Sequence, residues 1–430
     1  MQNHNFDYSR TMLLKIDIGN PDNKGGCKLI NTFGEVLEKI KSIDALTCGA
    51  PKIVYLVGWQ YNGHDNRYPE FFEVNEHAKI PGMTARESLL YLIAEAKKYH
   101  TSVSLHINLS DIYKESGLWQ EYIDNDLVLR KANGELKPTG TWNSRTAYQV
   151  RFAEELKSGR FKKRVDRLFE LVPLSEIGTV HIDAFFVRKG KSTSIKSEKA
   201  ARREMIKYFN SLGCDVTSEF IYREWRCGYR SFWGSCDTLG LIPAVWNLRM
   251  TQREYMKYHP SQLAGGTLTL ELQIDKKLQY LFYENMHGEG VCAGDGWHKR
   301  FLHDFAVQTV PYFYLNEQHC EKITGLGGSR IAHFTNGIQT RIKNREIREN
   351  GHTLKREETL MLPVYWEKNA YFAYSKTKSN AVFPFPYKSA VLMQVAPEGL
   401  KAHKTAAAVN GALELEFTDD CAYFIRGENV

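Results

Sequence analysis

The sequence predicts an α/β protein: a (β/α)8 TIM barrel over residues 1–325, followed by an antiparallel β-sandwich-like domain over residues 326–430. Three observations carry that expectation. Apolar, β-branched runs follow amphipathic helical segments over 32–58, 84–108, 161–185 and 198–220, and such alternation specifies a parallel sheet. Strand candidates along the chain number about eight, the count at which such a sheet closes into a barrel. After Ser329 the pattern changes to short alternating runs separated by Gly, Pro and Asn, as in antiparallel sheets. An open doubly wound sheet is the main competitor. The first strand is not followed by GxGxxG, and no GxxxxGK phosphate loop occurs, so nucleotide-binding folds lose ground.

In chain order, residues 1–10 are polar and read as a loose start. Thr11 to Gly19 is the first strand, with a Gly/Asn/Asp-rich loop through Gly26. Thr32 to Leu46 is helical, with Val36, Leu37, Ile40 and Ile43 on one face, and Lys52 to Gly58 is the second strand. Thr84-Ala-Arg-Glu87 is a capping box that opens a helix through Tyr99. Ser102 to Asn108 is the third strand, placing Ser104, His106 and Asn108 on one face. Leu109 to Ser158 is too long for a simple connection and belongs to the class of loops that build pockets. The helix Phe161 to Leu171 leads to the strand Thr179 to Phe185, the helix Glu198 to Leu212 stops at Gly213, and Cys214 to Phe220 is the next strand. Further strands are expected at Leu239–Trp246, Thr267–Gln273 and Thr309–Leu315.

Composition bounds the class. A chain that is 43% hydrophobic and 12% aromatic has a core and is not disordered. A net charge of +7 over 430 residues permits acidic partners without demanding nucleic acid. The basic residues Arg330, Arg341, Lys343, Arg345, Arg348, Lys355 and Arg356 read as a solvated strand face. Eight scattered cysteines without a CxxC pair, and no N-terminal signal, lead us to expect reduced thiols and a cytoplasmic location. The longest apolar run is far short of a membrane span. Fourteen histidines form neither HExxH nor HxH, so no metal and no cofactor is expected.

The chemistry concentrates between Thr179 and Glu224. Asp183 and Glu219 end successive strands of one βαβ unit, where parallel sheets present functional groups. Two carboxyls on neighbouring strands can act as nucleophile and general acid at a glycosidic bond, provided one is ionised and the other protonated. His181 lies on the same strand face as Asp183 and can help keep it ionised, whereas Phe220 and Tyr222 beside Glu219 favour its protonated form. The plain alternative is that these acids cap helices or pair with Arg188 or Arg223. His64-Asp65 follows the second strand, where a carboxylate can accept hydrogen bonds from vicinal hydroxyls, though HD in a loop is also common turn chemistry. His106 and Asn108 face the same way, into the mouth or into the core, and Trp119 and Trp142 can stack on sugar rings or pack.

The stretch Lys52 to Pro69, KIVYLVGWQYNGHDNRYP, resembles the segment of glycoside hydrolase family 101 in which a strand runs into a GxxxxGHD loop. SVSLHIN, a Trp-containing loop, HIDAFF and TSEF follow in the same order and at similar intervals, so the resemblance covers roughly residues 30–320. Family 101 comprises endo-α-N-acetylgalactosaminidases; the related family 129 of α-N-acetylgalactosaminidases fits as well. The resemblance implies a retaining α-glycosidase with Asp183 as nucleophile and Glu219 as acid/base. It also implies that Asp65, with His64, binds hydroxyls of the sugar whose bond is cut. The tryptophan motif before the nucleophile strand is reduced to Trp142-Asn-Ser-Arg, which favours exo action on small conjugates. The other readings are a carbohydrate-binding pseudoenzyme, a glycosidase for a different sugar, and a basic nucleic-acid-binding protein.

Overall fold

A computed structural model of the chain describes residues 4–22, 24–185, 187–218 and 279–429. Six parallel strands form one sheet: β1 (Met12–Asp17), β2 (Lys52–Val57), β3 (Thr101–Asn108), β4 (Thr179–Asp183), β5 (Asp215–Ser218) and β6 (Met286–His287). Every residue of β2 is buried, as expected of a strand covered on both faces. The helices α1 (Phe33–Leu46), α2 (Ala85–Ala96), α3 (Arg160–Leu171) and α4 (Ile195–Ser211) alternate with these strands. Local chemistry sets their starts. Thr32 and Glu35 form a capping box on α1, and Thr84 and Glu87 form one on α2, each satisfying backbone donors that the first turn leaves free. Gly178 and Gly213 hold the left-handed conformation just before β4 and β5.

The spatial order is β6–β1–β2–β3–β4–β5. From β1 to β5 neighbours in space are neighbours in the chain, the order among the described strands does not reverse, and β6 lies beside β1. The residues that join β5 to β6 lie outside the described ones, and with them the expected strands Leu239–Trp246 and Thr267–Gln273.

Two expectations are corrected. Thr309–Leu315 is not a strand: the helix α5 (Trp297–Asp304) runs through a π-helical segment, Phe305–Thr309, into the helix α6 (Val310–Leu315). A continuous apolar run fits a buried helix as well as a buried strand, and α6 is buried at five of its six positions. Pro311 removes one backbone donor where the π-helical segment passes into α6. Nor are residues 4–10 loose. The Tyr8 hydroxyl is buried 2.9 Å from Thr179 Oγ1 and 3.0 Å from Asp215 Oδ2. The Asn5 amide donates to the carbonyls of Gly178 and Gly213. This segment therefore closes the amino-terminal ends of β4 and β5.

A ten-stranded antiparallel sheet runs from Cys320–Thr324 to Cys421–Glu428 and is faced by the pair Ser379–Pro384 and Ala412–Phe417. Phe383, Leu413, Leu415 and Phe417 pack there against Met361, Leu392 and Ile425. The β region is joined to the parallel sheet by apolar contact and by hydrogen bonds. Phe372 meets Phe305 edge to face at 5.2 Å, and Trp366 Nε1 donates to the Cys48 carbonyl at 3.1 Å. No helix among the described residues is long and apolar enough to cross a membrane.

Candidate active site

The loop after β2 is shaped by two glycines pressed against the chain after β1. A Cβ on Gly58 (φ +73°) or Gly63 (φ +117°) would lie 2.2 Å from the Gly19 carbonyl oxygen, so only glycine fits at either position. The His64 N–H donates to that same carbonyl at 2.8 Å. Asp65 follows in the left-handed region at φ 58°, a conformation that aspartate tolerates better than most residues. Its backbone N–H donates to the Tyr68 hydroxyl (3.2 Å), and the Tyr113 hydroxyl donates to its Oδ1 (3.2 Å). His64 Nδ1 is 3.0 Å from the Tyr68 oxygen, and its Nε2 lies 3.5 Å from Asp65 Oδ2. Strand end, glycines and tyrosines together fix this pair at the carboxyl end of the sheet.

The register of β3 and β4 brings the remaining groups to the same end. His106 pairs with His181, and Asn108 with Asp183. Asn108 Oδ1 accepts from the backbone N–H groups of Ser110 and Asp111 (2.8 and 2.9 Å), which leaves its amide only one direction to point. That amide donates to Asp111 Oδ2 at 3.0 Å and to Asp183 Oδ2 at 3.4 Å. Ala184 turns the chain off β4 at φ 44°, and its carbonyl accepts from the Ser110 hydroxyl at 2.8 Å. The segment after β3 therefore orients both Asp183 and the turn behind it.

Beneath the mouth the rings of Tyr55, His181, His106 and His64 succeed one another at 5.2, 5.1 and 5.4 Å. His181 Nδ1 lies 2.8 Å from Thr217 Oγ1 on β5. Burial, and after it the Lys15 ammonium, holds His106 and His181 well below the ordinary imidazole range, so both are neutral. The positive charge that favours an ionised Asp183 thus comes from Lys15, and from His64 when its ring is protonated, rather than from His181. Burial is the larger effect and raises the Asp183 carboxyl above its usual range, with Asp65 and Glu289 adding to it. Asp65 is raised too, chiefly by burial and against the pull of His64.

The structure brings His64, Asp65, His106, Asn108, His181 and Asp183 into one cluster. Trp142 ends the strand Pro138–Trp142 of a hairpin completed by Arg145–Gln149, and its indole is 45% exposed. The turn of that hairpin reaches the cluster, where the Asn143 amide lies 3.4 Å from the His64 carbonyl. Glu219 lies outside the described residues; the pairing of β4 with β5 is described as far as Ile182 and Ser218. Among the described residues no three His, Cys, Asp or Glu side chains are arranged to hold a metal ion.

Four groups at the site were missed. Lys15 and Asp17 stand two apart on β1, and Lys15 Nζ lies 3.2 Å from Glu289 Oε1, just beyond β6. Asp17 is pushed up to about 6 by burial and then by Glu289. Asp111 is also raised to about 6, by burial first, and it accepts from the Thr139 hydroxyl at 2.9 Å. The signal for Lys15 and Asp17 was present: two polar residues at period 2 inside the apolar run Met12 to Ile18. Asp111 opens a strand of two residues and Glu289 lies just beyond β6, and in neither place does a periodicity mark them.

Known proteins share this architecture. The α-N-acetylgalactosaminidase NagBb from Bifidobacterium bifidum, free of ligand, superposes with a TM-score of 0.56 at 13% identity, covering 80% of this chain and 58% of that one. Its GalNAc complex gives 0.55 at 13% identity, with the same coverages of 80% and 58%. At such identity the likeness is one of fold, and this chain spans about 58% of the length of that protein. A family model described as endo-alpha-N-acetylgalactosaminidase matches residues 23–242. Since those residues make up more than half of the 430, the chain belongs to the endo-α-N-acetylgalactosaminidase family, glycoside hydrolase family 101.

Proposed function

We propose that this protein is a retaining glycoside hydrolase that cleaves α-linked N-acetylgalactosamine, using a (β/α)8 barrel with Asp183 as nucleophile and Glu219 as acid/base. The observation that carries the reading is the setting of Asp183. It stands at the carboxyl end of β4, 3.4 Å from the Asn108 amide, within the fields of Lys15 and His64, and beside the His64–Asp65 loop. Family membership supports the substrate class. The order β6–β1–β2–β3–β4–β5 supports barrel closure, because a last strand beside the first is what a closed wall requires.

Asp183 attacks the anomeric carbon while Glu219 gives its proton to the departing oxygen. Glu219 then takes a proton from the water that opens the glycosyl–Asp183 ester and releases the sugar. This chemistry needs carboxyls about 5–5.5 Å apart, and strands about 4.8 Å apart supply that spacing when both acids stand at one depth. The described register ends at Ile182 and Ser218, one residue before each acid. Asp65, steadied by Tyr113 and His64, accepts hydrogen bonds from hydroxyls of the same sugar.

The test is a panel of 4-nitrophenyl α- and β-glycosides with the pure protein and two variants. The α-N-acetylgalactosaminide should be turned over best. Asp183→Ala should lose at least about 10³-fold in kcat on it. Glu219→Ala should retain cleavage of this good leaving group, and azide should accelerate its turnover. Full activity in Asp183→Ala would overturn the assignment.

A further inference from the structure

A chain of buried hydroxyls joins the amino-terminal segment to the imidazole of His181. From Asp215 Oδ2 it passes to the Tyr8 hydroxyl at 3.0 Å, to Thr179 Oγ1 at 2.9 Å and to the Tyr55 hydroxyl at 2.9 Å. Tyr55 is hydrogen-bonded to Thr217, whose Oγ1 lies 2.8 Å from His181 Nδ1. None of these six residues is more than 4% exposed, so bulk water does not supply a missing partner. Each hydroxyl has one proton to donate, and the end of the chain decides where it goes. Asp215 Oδ2 already accepts the Asn5 backbone N–H at 2.7 Å, and a carboxylate only accepts, so Tyr8 gives its proton to Asp215. Thr179 must then donate to Tyr8, Tyr55 to Thr179, and Thr217 to Tyr55. Thr217 has no proton left for His181, and the donor between them is Nδ1–H. Reversing any link leaves two buried oxygens face to face with no proton between them, which forfeits a hydrogen bond. Burial, with the Lys15 ammonium adding to it, keeps His181 neutral, so its ring carries a single proton.

We propose that Tyr8 and Asp215 are positioning residues of the site: through this chain the amino-terminal segment fixes His181 as the Nδ1–H tautomer, with Nε2 an acceptor only. In a neutral imidazole the bond made by one nitrogen sets the character of the other. His181 stands two residues before Asp183 on the same face of β4. With its proton committed to Thr217, it has none to give to a departing oxygen or to the nucleophile. Asn108 then remains the side-chain donor to Asp183 among the described residues. The tautomer follows from the hydrogen bonds alone, whereas its effect on turnover rests on the hydrolase reading given above.

The test reads the tautomer directly, in full-length protein carrying ¹⁵N in its histidine rings, by two-bond ¹H–¹⁵N correlation at neutral pH. His181→Gln identifies the signals. The wild type should show His181 neutral and protonated at Nδ1. Tyr8→Phe keeps the ring but cuts the chain from the carboxylate, and should bring Nε2–H to roughly a quarter or more of the molecules. Thr217→Val removes the partner of Nδ1 and should do the same, and Thr217→Ser should restore the wild-type signal. A merely structural role would lower the melting temperature and leave the tautomer alone. Nε2–H in the wild type, or Tyr8→Phe with His181 still wholly on Nδ1, would overturn the proposal. With 4-nitrophenyl α-N-acetylgalactosaminide, kcat should fall in proportion to the Nε2–H fraction, about twofold at equal populations, at unchanged KM. A kcat that does not follow that fraction would overturn the positioning role. Should the wild type turn over no glycoside, the hydrolase reading fails, and the tautomer measurements alone decide the proposal.

Discussion

Gly63→Ala should damage the candidate site without touching any reacting group. The added Cβ would lie 2.2 Å from the Gly19 oxygen and 2.5 Å from the Gly19 carbon, all backbone atoms that cannot rotate away. Ordinary contact begins near 3.4 Å, so the two segments must part by roughly 1 Å, since repulsion rises steeply inside that distance. The hydrogen bond from His64 N–H to Gly19, now 2.8 Å, stretches beyond use. Losing it costs about 1 kcal/mol, and an alanine held at φ +117° adds about 1–2 kcal/mol. We therefore expect a loss of about 2–4 kcal/mol in urea unfolding. Displacing His64 and Asp65 by about 1 Å should lower kcat/KM on the aryl α-N-acetylgalactosaminide by about 10²-fold. Gly82→Ala is the control: its φ is +85°, but no atom lies within 4 Å of the new methyl, so it should cost only about 1 kcal/mol and leave kcat/KM unchanged. If Gly63→Ala behaves like Gly82→Ala in both assays, the loop is not held against Gly19 as described.

Three further predictions follow from the same contacts. Tyr113→Phe removes the donor to Asp65 Oδ1 at 3.2 Å and should raise KM about tenfold or more with kcat little changed, because a hydrogen bond to a carboxylate is worth about 1.5 kcal/mol or more; an unaltered KM would remove Asp65 from substrate binding. Glu155→Ala strips the partner from Arg164, whose guanidinium meets that buried carboxylate at 2.6 and 3.0 Å. It should destabilise the fold by about 3–5 kcal/mol in chemical denaturation, and a loss below 1 kcal/mol would contradict the burial of the pair. Asp17 is raised in the folded state to about 6, so its contribution is present at low pH and is lost as pH rises through about 4–6. Asp17→Asn should therefore match the wild type near pH 4 and exceed it in stability by about 2 kcal/mol above pH 7, and equal stability across that range would refute the shift.

The parts of the molecule that were legible are those where local chemistry and tertiary structure agree. Thr84 and Glu87 announce the start of α2 because the capping box is a local device. Ser104, His106 and Asn108 alternate because β3 turns one of its faces toward the cluster around Asp183. TVPYFYL was misread because a helix buried nearly all round shows no period, and only contacts from distant residues such as Trp366 decide its form. Residues 4–10 look like a tail, since the partners of Asn5 and Tyr8 lie about 170 to 210 positions away in sequence and no local pattern encodes them. At the site, Asp183 and Asp65 could be found because each ends or follows an apolar run. Glu289 could not, because β6 is two residues long and its neighbour Lys15 is joined to it only by folding. The neutrality of His181 was equally hidden: it depends on burial and on the Lys15 charge, neither of which the HxD spacing contains.

The stereochemistry of the first product tests the central claim most directly. Proton NMR of 4-nitrophenyl α-N-acetylgalactosaminide hydrolysis, recorded before mutarotation, separates the two anomers of the released sugar. Two successive displacements at Asp183 predict that α-N-acetylgalactosamine appears first and the β-anomer only later, at the rate of mutarotation. Initial appearance of the β-anomer would mean a single displacement by water, and would contradict Asp183 as the nucleophile.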